Sequence, residues 1–328
     1  MSSEKEHNGA VSVLVCSKGR RTSLENLVTS IRKIHHRAIP EIVVVEETAH
    51  PKPIDGTRYI AHPIANLGIP FARNLALANA TGQIIVFVDD DCILADSWLD
   101  ALIEPILEDK TVVGTQGGVT VPETSNAIGW AESLLGFPGG GITRVLQANG
   151  QHRRTKEVST LNCAYRRLVL EKTGGFNERL KVGGEDYLLA KQACEHGTCV
   201  FIPDALVYHE PRGGFGKIWT WFIRRGRAEI DLRKTGKVKD MPWWPFIRGW
   251  FLFKILAVVL ASVFLPYGTI FAAVMLFVLY PGIQYARYFR WWHESPAPLS
   301  ALIVLPAVKM VMDVAMDVGR IRGVAFDR

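Results

Sequence analysis

Along the first 210 residues the apolar positions fall into short runs separated by polar turns. Val11-Ser12-Val13-Leu14-Val15-Cys16 predicts a strand, followed by a turn at Ser17-Lys18-Gly19-Arg20. Leu24, Leu27, Val28 and Ile31 then recur at helical spacing after Ser23 and Asn26, and His35-His36-Arg37 suits the helix's last turn. Pro40 introduces a second strand, Ile42 to Val45, which ends in Glu46-Glu47. Strand, helix and parallel strand make a βαβ unit, whose crossover is right-handed by strong rule. Arg58 to Ala61 predicts a short third strand. Asn66 to Asn74 is a loop entering a helix that runs to about Ala80, with Gly68 at the turn and Pro70 at a first helical position. Ile84 to Val88, five apolar residues after Thr81-Gly82, predicts a strand buried on both faces, and it stops at Asp89-Asp90-Asp91.

The pattern continues with a helix over Ser97 to Leu107 and a strand over Val112 to Val121. In that strand Gly117-Gly118 suits close approach of a ligand to the backbone. Residues 122–155 read as irregular, with a short apolar helix near Ile128 to Leu135 and then Phe137-Pro138-Gly139-Gly140-Gly141. Such a segment is a loop shaping an acceptor site or a membrane-facing patch. Val158 to Tyr165 returns as a strand, and the helix Arg167 to Thr173 ends at Gly174-Gly175. Gly183-Gly184-Glu185-Asp186 opens another helix through Ala193. Cys199 to Ile202 and Ala205 to Tyr208 predict two short strands before His209.

Beyond residue 212 the pattern changes. Gly216 to Lys234 interleaves Trp219, Trp221 and Phe222 with arginines, as in a helix lying at a membrane interface. Arg224 and Arg225 are placed there to meet phosphates of a donor or of a lipid acceptor. Pro242-Trp243-Trp244-Pro245 reads as an interfacial corner. Phe246 to Leu265 and Thr269 to Tyr288 are long enough to span a bilayer, and the turn at Pro266-Gly268 forces them into an antiparallel hairpin. Leu299 to Val311 is apolar but broken by Pro306 and Lys309, and it turns amphipathic toward Arg322. This predicts a helix on the membrane or against the catalytic domain. A water-soluble bundle needs a charged face over residues 250–285, and none is present.

Composition sharpens this division. Of 328 residues the formal net charge is +6, and Arg224, Arg225, Arg227, Arg233, Lys234, Lys237 and Lys239 crowd before the first span. That is where a cytoplasmic flank carries positive charge, so a nucleic-acid partner is the weaker reading. The five cysteines are odd in number and without a CxxC, and the start is hydrophilic. Both argue against a secreted disulfide framework and a signal peptide. Cys194-Glu195-His196-Gly197-Thr198-Cys199 has a metal-site look, but a helix end entering a strand accounts for it without a second ligand pair. The expected organisation is a flexible N-terminus (1–10), an α/β catalytic domain (11–212), an interfacial helix and basic linker (213–241), a transmembrane hairpin (242–292) and a C-terminal amphipathic helix (293–328).

The chemistry centres on the acidic triplet. Side chains alternate along an extended chain, so Asp89 and Asp91 point the same way at the carboxyl edge of a sheet, where open α/β sheets place ligands. Three adjacent carboxylates attract a hard divalent cation, Mg²⁺ or Mn²⁺, that keeps positions for phosphate oxygens. The competing reading is a solvated turn. For Arg73, on the first turns of its helix, the alternatives are a surface salt bridge and a bidentate contact to a carboxylate or phosphate.

A strand ending in acids, then Asn66-x-Gly68-x-x-x-Ala72-Arg73-Asn74, then a buried strand into Asp89-x-Asp91, resembles the family 2 glycosyltransferases of GT-A fold over residues 10–215. The resemblance implies a Rossmann-like mixed sheet, a nucleotide-sugar donor, a divalent metal at the D-x-D, and inversion at the anomeric carbon. It implies donor contacts from Ser17, Arg20, Glu46, Glu47, Asn66, Gly68, Arg73, Asp89, Asp90 and Asn162, the last in the stretch that floors the sugar pocket. It makes Asp186 the general base with Glu185 its neighbour at the acceptor, and adds His209 to Asp89 and Asp91 at the metal. The family usually carries two aspartates where this chain has Glu46 and Glu47, which leaves the nucleotide's base open. The function implied is transfer of a sugar to a hydroxyl of a lipid-linked or glycan acceptor, by a multi-pass cell-membrane enzyme with a cytoplasmic catalytic domain. The alternatives are a polyprenyl (dolichyl)-phosphate glycosyl synthase and a non-catalytic nucleotide-sugar binding protein.

Overall fold

The computed structural model describes residues 10–34, 40–236 and 243–325. The hydrophilic start, the His35-His36-Arg37 helix end and the Lys237, Lys239 and Pro242 positions lie outside the described residues. The chain divides into two compact units. The first comprises Met1–Pro122, Pro138–Lys181 and Glu185–Glu210, and the second Glu123–Phe137, Val182–Gly184 and Pro211–Arg328.

The first unit is built on a nine-stranded sheet. Its elements in chain order begin with β1 (Val11–Lys18), α1 (Arg21–Lys33), β2 (Glu41–Glu47), β3 (Arg58–His62), α2 (Ile69–Asn79), β4 (Ile84–Val88), β5 (Cys92–Leu94), α3 (Trp98–Glu108) and β6 (Val112–Thr120). The short helix α4 (Ala127–Leu134) belongs to the second unit, after which come α5 (Gly141–Ala148), β7 (Arg153–Thr155), β8 (Asn162–Arg166), α6 (Arg167–Thr173), α7 (Glu185–Ala193) and β9 (Thr198–His209). The strand order is β3-β2-β1-β4-β8-β6-β9-β5, with β7 pairing β9. The β3, β2, β1 and β4 strands run parallel, while β8 is antiparallel to both β4 and β6. All five residues of β4 are buried, as a strand covered on both faces requires. On α1 the buried stripe is Leu24, Leu27, Val28 and Ile31, each contributing roughly 1.5–3 kcal/mol by leaving water. The parallel run puts the carboxyl ends of β1, β2 and β4 along one edge.

Three sequence expectations change here. Residues 122–155 are not irregular: Asn126 caps α4 by accepting from the Gly129 amide, and a run of positive-φ glycines, Gly139 to Gly141, leads into α5. The two short final strands are one, because the β6 ladder continues past Pro203 through a register shift between Gly117 and Val119. Gly117 and Gly118 admit protein instead of ligand. A Cβ on Gly117 would stand 2.2 Å from the Ala205 carbonyl oxygen, and one on Gly118 2.5 Å from that of Pro203.

The second unit holds α8 (Phe215–Lys234), α9 (Trp243–Arg248), α10 (Phe251–Phe264), α11 (Gly268–His293, with a π-helical turn at Met275–Leu279) and α12 (Leu299–Ala325). Two glycines set the α8–α12 contact. A Cβ on Gly226 would lie 2.0 Å from the Met316 carbonyl oxygen, and one on Gly319 2.1 Å from that of Ile223. Gly226→Ala therefore forces the helices apart. We expect it to cost about 1–3 kcal/mol, read as a lowered melting temperature in detergent, with Gly216→Ala, whose Cβ meets nothing, as the neutral control.

The hairpin forms, but its first arm is shorter than the sequence suggests. The chain breaks at Gly249-Trp250, leaving α10 with 14 residues, about 21 Å of helix against a hydrocarbon core of about 30 Å. Phe251 meets Tyr280 at 5.3 Å, and Gly268 packs on the Ser262 carbonyl, so α10 and the first half of α11 run antiparallel. By length and composition α11 and α12 are each apolar enough to cross a membrane. Only 6% of the apolar window of α11 is buried, against 39% for α12, so α11 offers the barer surface. In α12 the fully buried Asp317 accepts from the Leu252 amide at 2.8 Å and from Arg320 at 2.7 Å, and Arg320 also reaches Glu229 at 2.7 Å. That ion network ties α12 to α8 and caps the start of α10.

Candidate active site

At the edge where β1, β2 and β4 end, the acidic triplet divides its work. The Asp89 amide donates to the Leu161 carbonyl, and Cys92 turns back onto Asp89, so the strand stops and Asp90 folds inward, 1% exposed. Asp89 and Asp91 turn toward His209 instead. His209 ends β9, and antiparallel pairing of β9 with β5 sets it opposite Cys92. One ligand atom from each of Asp89, Asp91 and His209 lies within 4.8 Å of the others, and His209 Nε2 is 3.3 Å from Asp91 Oδ1. Asp91 Oδ1 is buried and makes no hydrogen bond, an orphaned oxygen that a divalent cation would satisfy. The donor set of two carboxylates and an imidazole suits Mn²⁺ or Mg²⁺.

Arg20, in the turn after β1, pairs with both Asp90 and Asp91. Burial pushes the Asp90 carboxyl up to about 6, against the opposing pull of Ser17 and Arg20. The Ser17 side chain is itself buried beside this carboxylate.

Arg73 is buried on α2 and serves carboxylates, not solvent. It donates to Glu185 Oε1 at 2.6 Å, reaches Asp89 Oδ1 at 3.5 Å, and its guanidinium lies 5.6 Å from the centre of the Phe176 ring. Burial opposes its charge, but Glu185 and Asp89 outweigh that and hold it above its ordinary value. Glu185 is buried, and burial with the neighbouring Asp186 charge pushes its carboxyl up to about 7. Asp186 is only half-buried and accepts from the Tyr187 amide at 2.8 Å. One guanidinium thus links the β4 carboxylate to the first residue of α7, leaving the next carboxylate reachable.

The remaining sequence candidates separate into those facing outward and those spent on the fold. Glu47 takes Lys18 Nζ at 2.9 Å and the Asn66 amide at 3.4 Å, and Lys18 also donates to Asn66 Oδ1 at 3.2 Å. Glu46 is occupied by Arg21 at 2.9 Å and by the Tyr59 hydroxyl at 2.5 Å. Asn162 is fully buried, and its amide is consumed: it donates to Gly118 and Ala205 carbonyls and accepts from Trp98 Nε1 at 2.8 Å. The Asn162 side chain thus clamps β6, β8 and β9 together. Gly68 is needed for its φ of +92° and for the Lys181 backbone 3.1 Å from where a Cβ would stand. Arg224 and Arg225 belong to the second unit, on the exposed side of α8. There the Arg225 guanidinium lies 5.0 Å from the Phe137 ring centre and 5.4 Å from that of Trp221.

Lys18, Arg21 and Tyr59 were not singled out by the sequence. The parallel register of β1 and β2, which sets Lys18 beside Glu47, is the signal that finds the first. In the second unit the buried Glu132 pairs with Arg212, whose guanidinium covers Trp221 at 3.8 Å, an ion pair that no sequence spacing announces.

Glycosyl transferase family 2 matches residues 12–174. Succinoglycan biosynthesis protein ExoM of Rhizobium meliloti (strain 1021) is 27% identical over 233 residues, covering 66% of this chain and 71% of that one. Mannosyltransferase PcManGT from Pyrobaculum calidifontis, solved in complex with GDP-Man and Mn²⁺, superposes with a TM-score of 0.56 at 19% identity, covering 98% of this chain and 88% of the other. GalNAc-T7, solved with UDP, GalNAc and Mn²⁺, gives a TM-score of 0.50 at 17% identity over 67% of this chain and 47% of its own. The sheet, the acidic strand end and the matched segment together make this chain a member of glycosyltransferase family 2, with a GT-A-like catalytic fold and apolar C-terminal helices.

Proposed function

We propose that this glycosyltransferase moves a sugar from a nucleoside-diphosphate donor to a hydroxyl of a lipid-linked or glycan acceptor, with inversion, at a membrane surface. The observation that carries the reading is the meeting of Asp89, Asp91 and His209 at the sheet's carboxyl edge, in the same unit as the half-buried Asp186. Those three side chains would hold Mn²⁺ or Mg²⁺, which when bound neutralises charge gathering on the diphosphate leaving group. Arg20 adds positive charge beside Asp91. Glu47, with Lys18 and Asn66, is the group we assign to the nucleobase. Asp186 takes the acceptor's proton as the new bond forms, and Arg73 fixes Glu185 so that α7 holds Asp186 in place. The Mn²⁺-containing relatives and the biosynthetic role of ExoM support this choice of cofactor and reaction. A screen of radiolabelled nucleotide sugars against membrane lipid extract, with products identified by mass spectrometry, tests the reading. Folded enzyme supplied with Mn²⁺ that leaves every donor intact would refute it.

Membrane attachment through α10 and α11 is part of the same proposal. Leu256, Val259, Leu260, Phe264, Ile270 and Phe277 are exposed apolar side chains on this hairpin, a surface that lipid covers. A hairpin returns both ends to one side whether its short first arm crosses or only enters the bilayer. Single cysteines at positions 5 and 326, in a background with the native cysteines replaced, should therefore show the same protection from an impermeant maleimide in intact cells. The basic flank predicts that both face the cytoplasm. Labelling of one and protection of the other would reject the two-span arrangement, in which α12 does not cross.

A further inference from the structure

Helix α8 is held on two sides within the second unit. Ile218, Phe222, Gly226 and Ile230 are buried, and Gly226 packs on the Met316 carbonyl of α12. A second buried stripe, Ala228 and Leu232, carries the turn at Gly183-Gly184. A Cβ on Gly183 would stand 3.3 Å from Ala228 Cβ, and one on Gly184 3.5 Å from Leu232 Cβ. The side of α8 that meets water is thereby fixed. Lys217, Thr220, Arg224 and Arg227 recur there at three- and four-residue spacing, which is one helix face, and all four are exposed. The helix carries six cations against two carboxylates, and both carboxylates are engaged, Glu229 by Arg320 at 2.7 Å and Asp231 by Arg227 at 3.8 Å. Lys217 and Arg224 make no ion pair among the described residues. Phe215 and Trp219, one turn apart at the start of the helix, are 41% and 38% exposed.

We propose, building on membrane attachment through α10 and α11, that this face of α8 docks on the anionic headgroups of a phospholipid leaflet. Exposed cations without counter-charges suit phosphate diesters. Phe and Trp beside them suit the headgroup level, where an aromatic ring keeps one side in apolar surroundings. A hairpin in the bilayer holds the headgroups at high effective concentration, so a modest attraction suffices. Each cation near an anionic surface strengthens binding about fivefold, so Lys217 and Arg224 together favour the docked helix roughly 25-fold. A soluble nucleotide offers phosphates but no apolar phase for Phe215 and Trp219, and this selects the lipid surface as the partner.

The test uses the full-length protein with a dansyl amino acid encoded in place of Thr220, whose hydroxyl donates to the Gly216 carbonyl of its own helix turn at 3.0 Å. In vesicles of equal parts phosphatidylcholine and phosphatidylglycerol the probe's emission should shift to the blue and be quenched by a lipid bearing a nitroxide near its headgroup. Salt at about 1 M, which cuts the Debye length to about 3 Å, should reverse both effects. Lys217→Gln combined with Arg224→Gln should lower the docked-to-undocked ratio roughly 25-fold, with circular dichroism establishing that the variant stays folded. Equal quenching in phosphatidylcholine alone, or no quenching in either vesicle, would overturn the assignment. So would reversal by inorganic pyrophosphate at matched ionic strength, which gives the cations to a soluble diphosphate. Flotation with phosphatidylcholine vesicles reads the hairpin separately. Protein that floats only when phosphatidylglycerol is present would refute attachment through α10 and α11 while leaving the α8 contact standing.

Discussion

Asp186→Asn is expected to lower kcat by about 10² to 10⁴ while leaving the nucleotide Kd nearly unchanged. The amide keeps the size and polarity of the side chain, and its oxygen still accepts from the Tyr187 amide, so the start of α7 keeps its local geometry. What disappears is proton acceptance from the acceptor hydroxyl. The buried Arg73–Glu185 pair is untouched, so the melting temperature should hold. A polyprenyl-phosphate acceptor is already an anion and has no proton to lose. Near-normal kcat in the variant would therefore transfer the assignment to a polyprenyl-phosphate glycosyl synthase. Pre-steady-state kinetics beside nucleotide calorimetry separates these outcomes.

The second large effect belongs to Asp91. Removing one unit of charge about 4 Å from a cation in a partly buried site weakens the interaction by up to about 4 kcal/mol, roughly three orders of magnitude. Asp91→Asn should abolish turnover and weaken donor binding in Mn²⁺ on that scale. EDTA should do the same to the wild type but little more to the variant. Arg20 complicates the reading usefully, since it pairs with Asp90 as well as Asp91 and keeps a carboxylate partner after the substitution. Loss of donor binding therefore reports on the cation site more than on a freed arginine. Calorimetry showing undiminished, metal-independent binding by Asp91→Asn would exclude these carboxylates as ligands.

The sequence carried the frame of the catalytic unit well, for identifiable reasons. The β4 run and the amphipathic stripe of α1 are local patterns, and burial on two faces or one leaves its period in the residues themselves. Asp89 and Asp91 were legible from the strand's alternation, but His209 joined them only through the family resemblance. His209 lies 118 positions after Asp91 in the chain, and it is the β9–β5 pairing that closes the gap. Long-range pairing also explains the misses. Nothing near Asn162 in sequence reveals that Trp98, Gly118 and Ala205 exhaust its amide. Gly117 and Gly118 announce a close approach, but not that the approaching group is β9. The short α10 was hidden because Gly249 breaks a run whose composition alone reads as continuous.

The most direct test follows the configuration of the transferred carbon. Purified enzyme with the donor found in the screen, Mn²⁺ and acceptor should yield a product whose anomeric configuration, read from proton NMR coupling, is opposite to that of the donor. Omitting Mn²⁺ and adding EDTA should remove the product signal. A product with the donor's configuration, or one formed equally well in EDTA, would contradict a metal-dependent, single-displacement transfer.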